Sequence, residues 1–211
     1  MHLIFQYVVL DMKESNKKKK ILIIDANPSR FSYTACLAEE YEINAKKSGF
    51  EVETLILRDM TFDCILHFGY TRHQTLEDDL KRAQKLIKWC DHIVLVSPVW
   101  WYGMPALLKG FVERTFLPDF AFRVESHPER TLIRMLNDKT ATVIYTYGGP
   151  KNNMRTNYSD PFGLQLKDGL FYFCGIDKVD LYPLYDTVGF KNIKRRADFI
   201  ETVIQLGKEG K

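Results

Sequence analysis

The sequence lacks the spacings that mark metal sites, redox dithiols and common nucleotide-binding loops. Its four cysteines, Cys36, Cys64, Cys90 and Cys174, form no CxxC pair, and no paired histidines accompany them. Neither a zinc site nor a redox dithiol is therefore indicated, and we expect no metal. The chain has no Walker GK[ST] loop and no GxGxxG fingerprint. This cysteine usage suits a reducing cytoplasm, and Cys36, Cys90 and Cys174 are expected to be small buried side chains.

Charge and hydropathy exclude further classes of protein. A net charge of +3 over 211 residues is too small to argue for nucleic-acid binding. The short apolar run within residues 2–10 cannot span a membrane, and it lacks the basic flank and cleavage site of a signal peptide. We expect residues 1–19 to be an N-terminal extension and residues 20–211 to form one domain. Met12 as the natural start of the protein is a further hypothesis.

Five short apolar or alternating segments read as strands, with helical patterns between them. They are residues 21–24, 51–57, 93–96, 140–146 and 179–182. Strands that alternate with helices predict a parallel sheet with right-handed crossovers. The expected fold is therefore an α/β three-layer sandwich of the flavodoxin-like kind, with strand order 2-1-3-4-5. In that order the first, third and fourth strands are neighbours, so the loops at their carboxyl ends converge.

Two of the converging loops have polar or glycine-rich sequences. The segment from Asn27 to Thr34 follows the first strand and opens a helix, which suits an anion site or an ordinary helix cap by Ser32 or Thr34. After the fourth strand, Gly148 and Gly149 allow either a close approach of the backbone to a ligand or a plain turn.

The third converging loop is aromatic. Ser97 and Pro98 end the buried third strand, and Trp100, Trp101, Tyr102 and Gly103 follow, before Pro105 opens a helix. Adjacent tryptophans are often core or interface residues, but at the carboxyl end of a parallel strand they also suit a platform for a flat ring. The convergence of all three loops favours a flavin site.

The stretch from Pro98 to Phe111 (PVWWYGMPALLKGF) resembles the hallmark of the NAD(P)H:quinone oxidoreductase family. The resemblance continues through Phe120-Ala121-Phe122, and the Asn27–Thr34 loop, the Thr146–Gly149 turn and Phe173-Cys174-Gly175 fit the same pattern in order. It extends from about residue 20 to near the C-terminus. Asn27 stands where many members carry histidine, and Trp100 replaces a frequent polar residue.

The resemblance implies a non-covalent flavin, FAD with FMN as the alternative. The phosphates would lie by Tyr33 and Thr34, the isoalloxazine by Val99–Tyr102, and the polar edge of the ring by Thr146–Gly149. The full set of implied cofactor-binding residues is Asn27, Ser32, Tyr33, Thr34, Pro98, Val99, Trp100, Trp101, Tyr102, Thr146, Tyr147, Gly148 and Gly149.

The implied reaction is a two-electron ping-pong hydride transfer from NADPH or NADH, through flavin N5, to a quinone-like acceptor. The resemblance also implies a homodimer with its active site at the subunit interface, where Trp101, Phe120 and Phe122 would line the substrate pocket. The loop after the Gly-Gly turn contains Tyr158 and no histidine, so Tyr158 is the candidate catalytic side chain.

Two other functions remain open from the sequence. Some relatives act as ancillary subunits of potassium-efflux systems, and the basic run Lys17–Lys20 suits docking to such a membrane partner or a simply solvated segment. A flavodoxin-type electron carrier is the other alternative, but those proteins are usually acidic. The physiological acceptor and the preference between NADH and NADPH are not determined by these patterns.

Overall fold

A five-stranded parallel sheet forms the centre of the computed structural model, which describes residues 18–125, 129–152, 159–189 and 192–211. The strands are β1 (Lys20–Asp25), β2 (Glu51–Ile56), β3 (His92–Pro98), β6 (Thr140–Thr146) and β7 (Lys178–Leu184). Their order is β2-β1-β3-β6-β7. Counting only these five strands along the chain, this is the predicted order 2-1-3-4-5. Of the N-terminal extension predicted at residues 1–19, residues 1–17 lie outside the described residues.

Helices cover both faces of the sheet. They are α1 (Tyr33–Lys47), α2 (Asp78–Trp89), α3 (Ala106–Thr115), α4 (Pro161–Leu164, continuing as a π-helix over Gln165–Tyr172) and α5 (Ile193–Glu209). A 3₁₀ turn spans Leu57–Asp59. No helix in the described part of the chain is both long and apolar enough to cross a membrane.

Two hydrophobic clusters lie on opposite faces of the sheet. Alternate residues of β1 divide between them: Ile21 and Ile23 pack with α1 and α5, while Leu22 and Ile24 pack with α2, α3 and α4. Successive side chains of a strand point to opposite faces, so a strand covered on both sides must be apolar throughout. This is why the short unbroken apolar runs predicted the central strands.

The structure differs from the sequence-based expectations at three places. Cys36 is exposed, whereas Cys90 and Cys174 are buried as predicted. The buried stripe of α1 contains Leu37, Ala38 and Tyr41, so that Cys36 falls on the solvent side of the helix. Phe122 begins a strand in a region expected to be irregular: β4 (Phe122–Glu125) and β5 (Thr131–Arg134) form an antiparallel pair outside the main sheet. Helix α4 begins at Pro161, two residues before Gly163, where the helical spacing of Leu166, Leu170 and Phe173 predicts its start.

A buried arginine fixes the long irregular segment between β2 and α2. Arg114 of α3 has no exposed side-chain surface and forms an ion pair with Glu77 at 2.8 Å. It also donates to the carbonyl oxygens of Asp63 at 2.5 Å and Thr75 at 3.1 Å. Hydrogen bonds to a charged donor in a buried place are strong and geometrically specific. Residues 63–77 are therefore held against α3.

Candidate functional site

The loops after β1, β3 and β6 leave the same edge of the sheet. Strand β3 pairs with β1 on one side and with β6 on the other. Backbone bonds extend this pairing into the loops, since the Ala26 amide donates to Val96 O and the Val99 amide donates to Thr146 O, both at 2.9 Å. The convergence that the strand order predicted is present, at the position where ligands of open α/β sheets bind.

The side chain of Asn27 organises the loop after β1. It is buried, with Nδ2 donating to Thr34 Oγ1 at 2.6 Å and Oδ1 accepting from the Ser29 amide at 2.8 Å. Thr34 is itself buried. Both polar atoms of the Asn27 side chain are thus used within the loop, and this residue shapes the loop through side-chain bonds to its own backbone and to α1.

The first turn of α1 combines a side-chain cap with backbone amides that the helix itself does not use. Ser32 caps the helix, because its Oγ accepts from the Ala35 amide at 3.1 Å, as one of the two sequence interpretations expected. The hydroxyl of Tyr33 donates to Arg196 O at 2.7 Å, and burial raises the pKa of Tyr33. Among the described residues, the amides of Tyr33 and Thr34 have no backbone partner. Unpaired amides at a helix start favour an anion.

An ion pair removes the negative charge that would otherwise face this turn. Asp25, at the end of β1, is buried and its carboxylate accepts from Arg58 Nη1 at 2.5 Å. The same guanidinium nitrogen lies 3.3 Å from Asn27 O, to which it donates. A cavity of about 540 Å³ opens beside this pair and the start of α1, and Arg30 and Phe31 also line it.

The aromatic loop after β3 is a tight two-residue turn. Trp100 and Gly103 exchange backbone hydrogen bonds of 3.1 and 2.9 Å, and the residues between them, Trp101 and Tyr102, have φ of 52° and 61°. Two successive positive φ angles are the pattern of a type I′ turn, which normally selects Asn and Gly. Trp101 is 99% exposed. The turn therefore holds a large aromatic side chain in solvent on a strained backbone.

The Gly-Gly turn after β6 directs its carbonyl groups toward the loop that follows β7. The Thr187 amide donates to Tyr147 O at 3.1 Å, and the Asp186 amide donates to Gly149 O at 2.8 Å. In the described part of the chain, the amides of Gly148 and Gly149 have no backbone acceptor. This turn thus presents two donors at the same edge as the aromatic turn.

The residues predicted to line a substrate pocket are not joined within one chain. Phe120 is buried in the core, and Phe122 packs edge-to-face on Phe173, with ring centroids 5.0 Å apart. Phe122 also lines a cavity of about 600 Å³ between α3, α4 and the hairpin. Trp101 is almost fully exposed and so contacts neither phenylalanine. Tyr158, the predicted catalytic residue, lies outside the described residues.

Sequence reasoning missed Asp160, whose carboxylate accepts from the hydroxyls of Tyr145 and Tyr147 beneath the Gly-Gly turn. Asp160 is the N-cap of α4 and precedes a proline. An aspartate directly before proline is a standard signal for a helix start. That signal was present, but it indicates only the cap and carries no information about the two tyrosines.

The fold is an open parallel α/β sheet with three loops that converge at the carboxyl ends of its strands, and comparisons with known proteins define the family. A family described as having a flavodoxin-like fold matches residues 19–206, so the chain belongs to this flavodoxin-like family. The chain is 28% identical over 194 residues to an uncharacterized NAD(P)H oxidoreductase of Haemophilus influenzae, covering 87% of this chain and 92% of that protein. It is 24% identical over 206 residues to NAD(P)H dehydrogenase [quinone] 1 of Rattus norvegicus, covering 87% and 74%.

A solved structure is similar to the whole domain. The FMN-dependent NADH-azoreductase of Bacillus anthracis, in complex with FMN, matches with a TM-score of 0.68 and 17% identity, covering 90% of this chain and 98% of that one. At this identity the match supports the fold alone. Together with the curated relatives, the comparisons confirm the resemblance to the NAD(P)H:quinone oxidoreductases and the oxidoreductase class.

Proposed function

We propose that this protein is a flavin-dependent oxidoreductase that uses NAD(P)H to reduce quinone-like acceptors. The observation that carries the proposal is the convergence of three complementary groups at one sheet edge: the start of α1, an exposed aromatic turn, and the Gly-Gly turn. The amides of Tyr33, Thr34, Gly148 and Gly149 have no backbone partner within the described residues. These groups match the anionic, flat and hydrogen-bonding parts of a flavin, so the residues present fit this cofactor. When bound, the flavin supplies the hydride transfer between the two substrates in turn.

Each loop has a distinct role in this proposal. The amides of Tyr33 and Thr34 bind phosphate, and Arg58 keeps the neighbouring Asp25 from repelling it. The aromatic turn that Val99 introduces packs against the ring. The amides of Gly148 and Gly149 donate to the polar edge, where negative charge grows on reduction. Four of the predicted residues act by fixing the backbone. Asn27 forms hydrogen bonds within its loop, Ser32 caps α1, and Pro98 and Thr146 pair with each other at the ends of β3 and β6.

We propose FAD rather than FMN as the bound flavin. The cavity of about 540 Å³ beside the start of α1 gives room for the adenosine half of FAD next to the proposed phosphate position. Its lining offers the flat, 95% exposed ring of Phe31 and the guanidinium of Arg30. FMN would leave this cavity unused.

A homodimer completes the substrate site in this proposal. Trp101 is 99% exposed, without cover from the described part of its own chain, and Phe122 lines a surface cavity away from it. A second subunit that places its β4 region over the aromatic turn would enclose the acceptor between aromatic side chains. Phe122 then contributes from the partner side, Phe120 supports this region from the core of the same subunit, and Tyr158 remains the proposed catalytic side chain. Two lysines of the basic run are engaged within the chain, since Lys19 donates to Gly210 O and Lys20 lies over the ring of Trp89, so we favour the enzyme over docking to a membrane partner.

An absorbance spectrum of the purified protein under anaerobic conditions tests the function. We expect flavin bands that bleach on addition of NADPH and return when menadione is added, and FAD as the flavin released on denaturation. Replacing Trp101 by Ala should reduce menadione turnover, while Phe31→Ala should alter the affinity for FAD more than for FMN. A colourless protein that neither FAD nor FMN reconstitutes would contradict the proposal.

A further inference from the structure

A carboxylate enclosed by three donors lies directly beneath the Gly-Gly turn. Asp160 Oδ2 accepts from the hydroxyl of Tyr145 at 2.5 Å, and Oδ1 accepts from the hydroxyl of Tyr147 at 2.8 Å. The Gly163 amide donates to Oδ1 at 3.2 Å. Both tyrosines are buried, with 0% and 2% of their surface exposed. Burial, and after it the hydrogen bond to Asp160, raises the pKa of each tyrosine, so both hydroxyls remain donors.

The backbone around this carboxylate is adapted to it. Asp160 has a φ of 51°, an uncommon conformation for a residue with a side chain. At position 163 only glycine fits, because an added Cβ would lie 2.6 Å from Asp160 Oδ2 and 2.7 Å from the Tyr145 hydroxyl. An unfavourable backbone conformation of this kind persists only where the surrounding structure holds it in place. The arrangement is therefore specific, and more than a helix cap requires.

Tyr147 connects the carboxylate to the turn. It directly precedes Gly148, and its ring stacks on Tyr185 with centroids 5.3 Å apart and planes 2° from parallel. Its side chain is thus held at one end by Asp160 and along one face by Tyr185. Glycines have no side chain to restrict their own φ and ψ, so the direction of the Gly148 and Gly149 amides depends on neighbouring anchors. The loop after β7 holds the carbonyl oxygens of Tyr147 and Gly149 on one side, and the Tyr147 side chain is the anchor on the other.

We propose that Asp160 is a positioning residue which, through Tyr147 and Tyr145, fixes the direction of the Gly148 and Gly149 amides. The identity of the ligand that accepts hydrogen bonds from these amides rests on the proposed function, whereas the positioning of the amides does not. If the peptide between Tyr147 and Gly148 rotated, a carbonyl oxygen would replace an N–H group at the ring edge. Repulsion would then replace a hydrogen bond at the atoms that become negative on reduction.

The test compares Asp160→Ala, Asp160→Asn and Tyr147→Phe. The first removes all acceptors of the cluster, the second restores one acceptor oxygen, and the third removes only the bond that leads to the turn. Tyr41→Phe is the matched control, since Tyr41 is a buried tyrosine on the opposite face whose hydroxyl has no partner within the described residues. Val203→Ala is a second control that weakens the opposite core without touching the cluster.

Two measurements are made on the full chain. The first is the ¹⁵N order parameter of the Gly148 and Gly149 amides in flavin-free protein, expected to fall from about 0.85 to below about 0.6 in Asp160→Ala and Tyr147→Phe. The second is the dissociation constant of FAD, expected to rise about tenfold in the same variants, with Asp160→Asn closer to wild type. Tyr41→Phe and Val203→Ala should change neither, although Val203→Ala lowers the melting temperature.

Order parameters and FAD affinity like those of wild type in a folded Tyr147→Phe variant would overturn the inference, whether or not Asp160→Ala folds. So would equal loosening of the glycines in Val203→Ala, because it would assign the effect to general destabilisation. If the wild-type protein binds neither FAD nor FMN, the proposed function fails, while the order parameters still decide the positioning role of Asp160.

Discussion

The strained aromatic turn gives a prediction that joins stability to function. Trp101 has a φ of 52° and is 99% exposed. The left-handed conformation costs an L-residue with a bulky side chain roughly 1–2 kcal/mol, whereas Asn adopts it routinely. Because the indole is in solvent, replacing it removes almost no buried apolar surface. We therefore expect Trp101→Asn to raise the free energy of unfolding by about 1 kcal/mol.

Urea denaturation of flavin-free protein measures this change. Flavin must be absent, since a ligand that binds only the native state adds its own stabilisation. The midpoint should move to higher urea at an unchanged slope, because the surface exposed on unfolding is the same. In a chain of this size about 1 kcal/mol also raises the melting temperature by roughly 2–4 °C.

Phe31→Asn is the matched control for this prediction. Phe31 is 95% exposed and is not among the residues with positive φ. Its replacement removes an exposed aromatic ring without relieving strain, so stability should change by no more than about 0.5 kcal/mol. If Trp101→Asn is no more stable than Phe31→Asn, the turn stores no strain. If Trp101→Asn is more stable but turns over menadione as fast as wild type, the strain serves no function in the proposed reaction.

Two further predictions concern stability. Burial, and after it the positive charge of Lys19, lowers the pKa of His92 from 6.5 to about 3. The unfolded chain then binds the additional proton, so stability is lost as the pH falls below about 6.5, by about 2 kcal/mol between pH 8 and pH 5. Urea unfolding at the two pH values measures this loss of stability, which should be smaller in His92→Gln and unchanged in the control His73→Gln, whose side chain is exposed. A loss in His92→Gln as large as in wild type would contradict the prediction. Arg114→Ala should cost about 3–5 kcal/mol, because it empties a large buried site and leaves the carbonyl oxygens of Asp63 and Thr75 without their donor. Arg30→Ala, which breaks an exposed pair with Asp59, should cost at most about 1 kcal/mol in the same urea assay, and equal costs would refute the role of burial.

The sheet could be predicted because burial on both faces has a direct signature in sequence. Residues 21–24 and 93–96 are apolar without a break, as a central parallel strand must be. Once these strands and their order were known, the meeting of the three loops followed from geometry. The hairpin β4–β5 was missed because most of its residues are exposed and show no clear alternation.

The details of the site could not be predicted, because they depend on contacts between residues distant in sequence or violate local preference. Nothing near Asp160 indicates that Tyr145 and Tyr147 approach it from the end of a strand. A type I′ turn would be recognised from Asn and Gly at its centre, and Trp101 and Tyr102 are among the least expected residues there. Departures from local preference are expected at functional sites, and these lie at the edge where open α/β sheets bind their ligands.

The conformations of the two turns at this edge are held in different ways. In the aromatic turn the conformation is unfavourable for Trp101 and Tyr102, so reciprocal bonds between Trp100 and Gly103 must hold it. In the Gly-Gly turn the glycines themselves prefer no conformation strongly, so the selection comes from other segments: the loop after β7, which donates to Tyr147 O and Gly149 O, and the buried cluster around Asp160, which holds the Tyr147 side chain. A change at Trp101 should therefore alter stability through the turn itself, whereas a change at Asp160 should alter order in a turn that it does not belong to. Site geometry here depends on local strain in one loop and on a remote hydrogen-bond network in the other.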